Sequence, residues 1–413
     1  MLDIKFIREH PDVVKEGCRK KQVRIDIDKI LRLDEQKRKL LKNIEALRGK
    51  RNLSTRVRPL QKEITEAKEI KKQLKDLGKK FKEIEKEFNE LMLRVPNLPS
   101  DSVPIGKSEK DNVVIKKAGE KTKFDFKPRN YLEIAEKLDL IDTKRAAKVS
   151  GTRFGILKKE AVLLKFALRD FASDILVKEG FVPVDPPVMI KPEMMQGMGY
   201  VERGSQEIYH LKDDNLLLVG TAEQSIGPMH AEEIFEEKNL PKRYFSFTPC
   251  FRREAGSYGR DTKGIFRVHQ FDKLEMFIFC KPEKSAEEHK FLLSLEEKIM
   301  QLLEIHYQVV QICTGDLGDP AAAKHDIEVW FPSESRYRET HSTSNCTDFQ
   351  ARRLNIRYRD LKNKKLEFVH TLNGTAVAIG RTLIAIIENY QQKDGSIKIP
   401  KILEKYLGKS EIK

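Results

Sequence analysis

The chain has 413 residues, a formal net charge of +15, and 39% hydrophobic against 35% charged residues, so it can build one large core with wide solvated surface in two or three domains. No run approaches the roughly 20 apolar residues of a membrane span. Five scattered cysteines without a C-x-x-C suggest neither a disulfide framework nor a zinc ribbon, and fit a reducing, cytoplasmic setting.

The opening MLDIKFIREH mixes charges of both signs and is not read as a signal peptide. From Ile30 to Leu47, apolar residues fall at Ile30, Leu33, Leu40, Ile44 and Leu47, with Lys37 interrupting the pattern. A break is expected from Arg51 to Pro59, at Asn52, Ser54, Thr55 and Pro59. A second stripe runs through Ile70, Leu74, Leu77, Phe81, Ile84, Phe88 and Leu91 at alternating spacings of 4 and 3. These heptads predict an antiparallel two-helix coiled coil with legs of roughly 40–50 Å. Periodicity alone allows a dimerisation coiled coil. The basic turn of Arg48, Lys50, Arg51, Arg56 and Arg58 favours an arm that grips an extended polyanion.

Three prolines between Val95 and Gly106 mark a linker, dividing the chain into domains at 1–105 and 106–413. Beyond it, short strand-like runs (Leu216–Val219, Tyr244–Thr248, Phe266–Phe279) alternate with helical ones (Glu160–Lys178, Glu283–Glu304), which predicts an α+β domain with a largely antiparallel sheet. No P-loop, G-x-G-x-x-G unit, H-E-x-x-H or G-x-S-x-G occurs, and the nine histidines read as ordinary packing or surface residues.

The segment FTPCFRREAGSYGRDTKGIFRVHQFDKLEMF, Phe247 to Phe277, reads as strand, glycine-rich basic loop, strand. Two arginines end its first strand, and Asp272 and Glu275 sit on its second. Such arginines beside a basic loop suit phosphoryl or nucleotidyl chemistry, because charge developing on a phosphate needs fixed donors. Alone, the segment is equally an ordinary hairpin with a charged loop. Near the C-terminus, TLNGTAVAIGRTLIAIIENYQ (Thr371–Gln391) reads as a strand ending at Asn373-Gly374 and an apolar helix from about Gly380. Arg381 then adds a full charge to the anion-favouring start of that helix.

Together these two segments resemble motifs 2 and 3 of class II aminoacyl-tRNA synthetases. The helix Glu160–Lys178 followed by GFVPVDPPVM, with Pro187, resembles motif 1, which in that class builds the dimer interface. LVGTAEQ (Leu218–Gln224), SNCTDFQARR (Ser344–Arg353), the opening segment and the hairpin arm narrow the resemblance to the seryl-tRNA synthetases over essentially the whole chain.

The resemblance implies an N-terminal coiled-coil arm followed by a class II catalytic domain, a mainly antiparallel sheet flanked by helices. It implies a homodimer that uses ATP and Mg2+ to load L-serine onto tRNA(Ser), with tRNA(Sec) as a further candidate. Arg252 would hold the α-phosphate, next to Arg253. Glu254 and the Val268 backbone would meet the adenine edge, and Phe271 and Arg381 would stack on its ring. Glu339 and Ser342 would hold Mg2+, with Thr340 and His341 beside the nucleotide. Thr221, Ala222, Glu223, Glu275, Asn373 and Thr375 would form the serine pocket. Arg252 and Arg381 would be the catalytic pair, acting by charge neutralisation without a protein nucleophile.

Two stretches depart from the family pattern: Thr340-His341 after Glu339, and QGMGYVERG from Gln196 to Gly204. Three alternatives fit the sequence less well. Another class II synthetase would carry an anticodon-binding domain after motif 3, a carrier-protein ligase would lack the arm, and a coiled-coil adaptor would leave the charged motif residues unexplained.

Overall fold

The computed structural model describes residues 1–54, 61–255, 261 and 263–413, without the side chains of 51–54, 61–64 and 203. Arg56 and Arg58 of the basic turn, Arg260 of the motif 2 loop and the side chain of Arg51 therefore lie outside the described residues. The described chain divides into two units, Met1–Leu98 and Pro99–Lys413.

In the first unit, α1 (Ile4–Glu9) and α2 (Pro11–Lys20) precede the long helices α3 (Ile27–Ser54) and α4 (Gln61–Arg94). The Asp3 carboxylate caps α1 by accepting the Lys5 N–H at 2.7 Å, and Pro11 opens α2, where its missing N–H costs nothing. The heptad residues Ile30, Leu33, Leu40 and Ile44 of α3 are buried, as are Phe88 and Met92 of α4. Lys37, the interruption in the stripe, pairs with Glu85 at 2.9 Å and lays its ammonium 5.1 Å from the Phe88 ring. Its stem covers the seam while its charge stays solvated. Ile7, Val14 and Cys18 of the two short helices join Ile27, Ile30, Leu33, Phe88 and Val95 in a compact core at the base of the hairpin. Helix α3 also continues through Ser54, so the turn begins later than the turn-forming residues predicted.

The second unit is built on one large sheet. Among the described residues it has eight strands: β1 (Val113–Ala118), β2 (Val182–Pro183), β3 (Lys242–Phe251), β4 (Gln270–Cys280), β5 (Tyr307–Gln311), β6 (Ala323–Phe331), β7 (Arg336–Asn345) and β8 (His370–Ala378). Their order is β1-β5-β6-β7-β8-β4-β3-β2, antiparallel except for the β2–β3 edge pair. Helices α5 (Glu160–Lys178), α6 (Ser285–Leu302) and α7 (Ile379–Asn389) pack on the sheet.

Strand β4 shows how the sheet is used. With side chains alternating between faces, Leu274, Met276, Ile278 and Cys280 enter the core shared with the three helices. Phe277 and Phe279, on the other parity, enter a second cluster with Ile226, Phe235 and Tyr358. Phe271, Lys273 and Glu275 share that second parity, and they line a cavity. The strand expected from Phe266 starts only at Gln270, and β8 runs through Asn373-Gly374 to Ala378 instead of ending there. Asp272, grouped with Glu275 in the sequence, is an odd number of positions away and points to the opposite side, pairing with Lys165 at 2.6 Å. No described helix is long and apolar enough to cross a membrane.

Candidate active site

A cavity of about 540 Å³ opens on the face of the sheet opposite the helices. At one end, the turn after Leu216–Leu218 delivers Thr221 and Glu223, the latter on a short helix Glu223–Ile226. Glu275 of β4 stands opposite Thr375 of β8 in the strand register, and the Thr375 hydroxyl donates to the Glu275 carboxylate at 3.2 Å. Asn373, two residues before Thr375, shares its face. Glu223, Glu275, Thr375 and Asn373 are all at least nine-tenths buried. Lys273 meets Glu275 at 2.7 Å, and the Tyr200 hydroxyl donates to Glu223. Burial, and next the neighbouring Glu275 charge, push the Glu223 carboxyl up to about 7 despite the pull of Lys273.

At the other end, Arg252 leaves β3 with its Nε donating to the Gly220 carbonyl at 3.2 Å, and its guanidinium lies 5.3 Å from the Phe271 ring. Glu254 follows in a left-handed conformation (φ 51°) and pairs with Arg267 at 2.9 Å. Val268 forms the adjoining wall. Arg381, in the first turn of α7, lies 4.9 Å from the Phe266 ring, donates to the Glu339 carbonyl at 3.1 Å and pairs with its carboxylate at 3.3 Å. Burial acts to raise the Glu339 carboxyl, but Arg381, Lys324 and Arg252 outweigh it and hold the group at about 2.

Two bulges create this wall. On β7, Glu328 pairs with Glu339 while Ile327 pairs with His341, leaving Thr340 as the extra residue. Glu339 and Ser342, three apart, would face opposite ways on a regular strand, and the bulge turns both to the cavity. A second bulge on β8 at Ala376 does the same for Thr375 and Ala378.

Of the residues singled out in the sequence, Arg252, Glu254, Val268, Phe271, Glu339, Thr340, Ser342, Arg381, Thr221, Glu223, Glu275, Asn373 and Thr375 line the one cavity. Ala222, Arg253 and His341 do not line it. Ala222 is buried in the second cluster, and Arg253 exposes its side chain while its N–H donates to Glu207. His341 is buried with Nδ1 2.8 Å from the Thr340 hydroxyl, and burial pushes its ring down to about 4.

Lys273, Lys324 and Tyr200 also line the cavity and were missed. Lys273 was findable, since it stands two residues from both Phe271 and Glu275 on a strand. Lys324 carried no such signal; it is held at 3.1 Å from Asp326. Burial lowers the Lys324 ammonium, but Asp326 and Glu339 together hold it above its ordinary range.

The Glu339 carboxylate and the Ser342 hydroxyl are hard oxygen donors on one face, the first held ionised. That set fits Mg2+, which takes one or two carboxylates and fills its remaining positions with water and substrate phosphates. A carboxylate pair with one lysine at one end, and arginines with an ionised carboxylate at the other, can hold an amino acid ammonium beside a nucleoside triphosphate.

Both units of the chain are similar to known proteins. Residues 1–99 match the seryl-tRNA synthetase N-terminal domain, and residues 209–390 match the tRNA synthetase class II core domain (G, H, P, S and T). The serine–tRNA ligase of Dictyoglomus turgidum is 48% identical, covering 100% of this chain and 99% of that protein. The seryl-tRNA synthetase of Pyrococcus horikoshii complexed with ATP superposes with a TM-score of 0.93 at 42% identity, covering 100% and 99% of the two chains. The cytoplasmic serine–tRNA ligase of Naegleria fowleri in complex with AMP gives 0.90 at 33% identity, with the same coverage.

Proposed function

The chain belongs to the seryl-tRNA synthetase family, and on that premise we propose how its cavity divides the work. The protein activates L-serine with ATP to seryl-adenylate and transfers the seryl group to tRNA(Ser). In the first step the serine carboxylate attacks the α-phosphorus in line and the bond to pyrophosphate breaks. In the second, a terminal ribose hydroxyl of the tRNA attacks the seryl carbonyl and AMP leaves.

In this reading Thr221, Glu223, Glu275, Asn373 and Thr375 bind serine, with Ala222 setting the turn between the first two. Carboxylates at that end pair with the ammonium and accept from the substrate hydroxyl. Alanine would leave such an acceptor buried and unpaired, a penalty of roughly 10^4-fold. Arg252 takes the α-phosphate, Glu254 and Val268 the adenine edge, and Phe271 and Arg381 the ring faces. Glu339 and Ser342 would hold Mg2+, which would supply neutralisation of phosphate charge. Thr340 takes part in the nucleotide wall with buried His341 behind it, and exposed Arg253 meets the nucleotide from the solvent side. No side chain needs to act as a nucleophile; the residues position the reactants and neutralise charge.

The observation that carries this reading is the joining of the two ends: Arg252 touches Gly220, the residue before Thr221, while flanking Phe271. Exposed Leu163, Phe166, Val177 and Val182 on and after α5 support that face as the homodimer interface. Buried free thiols at all five cysteines support a reducing cytoplasm. ATP–pyrophosphate exchange with each of the twenty amino acids, without tRNA, tests the assignment. Exchange with serine alone is expected, and exchange driven by another amino acid refutes it.

A further inference from the structure

Within Gln196–Gly204, one residue reaches the amino acid end of the cavity. Tyr200 lines the cavity beside Thr221, Glu223, Glu275, Cys346 and Thr375, and its hydroxyl donates to Glu223. The ring is a large rigid surface and the phenol a polar tip, a pairing suited to shaping a small polar pocket.

The backbone around Tyr200 is held on both sides. The helix Pro192–Met198 ends on Gly199 in a left-handed conformation (φ 86°), where an added Cβ would lie 2.9 Å from the Phe349 ring. At Gly197 a Cβ would lie 2.4 Å from Leu354. The helix Phe349–Leu354 then clamps the segment: Gln350 Nε2 donates to the Met198 carbonyl at 3.2 Å and Arg353 Nη1 to the Gln196 carbonyl at 2.9 Å. Past Tyr200, Arg353 pairs with Glu202 at 3.4 Å. The backbone carrying the ring is thus held on both sides, and the ring itself packs against the cluster of Met198 and Ile226 and that of Met195 and Val219.

We propose that Tyr200 sets the size limit of the amino acid pocket, its ring rejecting threonine's extra methyl and its hydroxyl orienting Glu223 toward the substrate. This rests on the reading that Thr221, Glu223, Glu275 and Thr375 bind serine. Serine and threonine present the same ammonium, carboxylate and hydroxyl, so polar contacts cannot separate them and steric exclusion must. One methyl in a pocket is worth roughly 10–200-fold, a range in which a single ring can account for the discrimination.

The test is pyrophosphate exchange by the full-length protein with serine and with threonine, for wild type, Tyr200→Ala and Tyr200→Phe. Tyr200→Ala is expected to raise the threonine-to-serine ratio of kcat/KM at least tenfold, with the KM for ATP near wild type as the check on folding. Tyr200→Phe keeps the ring, so threonine stays rejected, while the lost hydrogen bond to a buried carboxylate raises the KM for serine about tenfold. Should Tyr200→Ala not fold, the shorter Tyr200→Leu carries the same expectation for the ratio. An unchanged ratio in a variant that binds ATP normally refutes the wall, and an unchanged serine KM in Tyr200→Phe refutes the orienting role. A wild-type protein inactive with serine would instead overturn the pocket assignment, and this inference with it.

Discussion

Lys273 and Glu275 stand two residues apart on one face of β4 and meet at 2.7 Å under the amino acid end of the cavity, 9% and 2% exposed. With Glu223 nearby, that floor holds two carboxylates against one ammonium. A single negative charge is left to be matched by the substrate's own ammonium. Lys273→Met would strand Glu275 beside Glu223, and breaking a buried pair in this way costs about 3–5 kcal/mol. Thermal or urea unfolding should show that loss. Replacing both members with apolar residues of similar volume should restore most of the stability but not serine activation. Wild-type stability in Lys273→Met would rule out this role for the pair.

The same arrangement makes the empty protein sensitive to pH. Glu223 faces Glu275, Lys273, Arg252 and the Tyr200 hydroxyl, and its carboxyl is raised from an ordinary 4.5 to about 7, first by burial and then by Glu275. A carboxyl raised in the folded state contributes stability that is complete below pH 4.5 and is lost as pH rises through 7. Asp326, raised to about 7 first by burial and opposed by Lys324, adds to the same window. Glu223→Gln should remove only its own share, so between pH 5 and 8 the variant should gain on wild type by on the order of 3 kcal/mol. Serine should reverse the trend in wild type, because its ammonium favours ionised Glu223. Parallel stability profiles for the two proteins would contradict the assignment.

Helix α5 spans Glu160–Lys178 as its apolar pattern predicted, because eight of its residues bury against one core. The arm was readable for the same reason: among its described residues the heptad positions are buried or half-buried while their neighbours are mostly exposed. Strand ends were less so, since β8 is buried on both faces to Ala378 and Asn373-Gly374 makes no turn there. The facing of Glu339 and Ser342 depends on a one-residue bulge that local composition does not signal. Lys324 could not be placed either, because its proximity to Glu339 arises only when β6 and β7 align, and its pairing with Asp326 two residues along β6 says nothing of a cavity.

Arg338 ties the nucleotide end to the motif 2 loop. Its guanidinium lies 3.5 Å from the centre of the Phe266 ring, whose surroundings also include Arg381 at 4.9 Å. It also pairs with Asp261 and Glu334. Arg338→Ala should loosen Phe266 and release Arg381, raising the KM for ATP about tenfold, since a desolvated cation–π contact plus an ion pair approaches ~2 kcal/mol. The KM for serine should change less than twofold, because Arg338 contacts only the Phe266 side of the site and none of the serine residues. Arg338→Lys should rescue poorly, an ammonium lacking the flat face that stacks on the ring. Equal changes in both KM values would point to general unfolding instead.

The last prediction separates the two units. Residues 42–79 carry 12 Lys and Arg against 5 Asp and Glu, a net +7 out of the chain's +15, so nearly half the basic excess lies in the distal arm. The core at the base of the hairpin uses Ile27, Ile30, Leu33, Phe88, Met92 and Val95, all outside that stretch. Replacing 42–79 with a short glycine-containing turn should therefore leave the base folded. Activation needs only the cavity in Pro99–Lys413, so serine-dependent pyrophosphate exchange should stay within twofold of wild type. Charging of tRNA(Ser) should fall by about 100-fold or more, as several phosphate contacts are lost. Salt distinguishes this from a folding defect. Raising it from about 50 to 200 mM should weaken tRNA binding by wild type steeply and by the deletion variant much less, because each phosphate contact removed lowers the slope by about one. A deletion variant that still charges tRNA(Ser) at the wild-type rate would show that the arm does not grip the tRNA. One that loses exchange as well would show that the cavity depends on the arm.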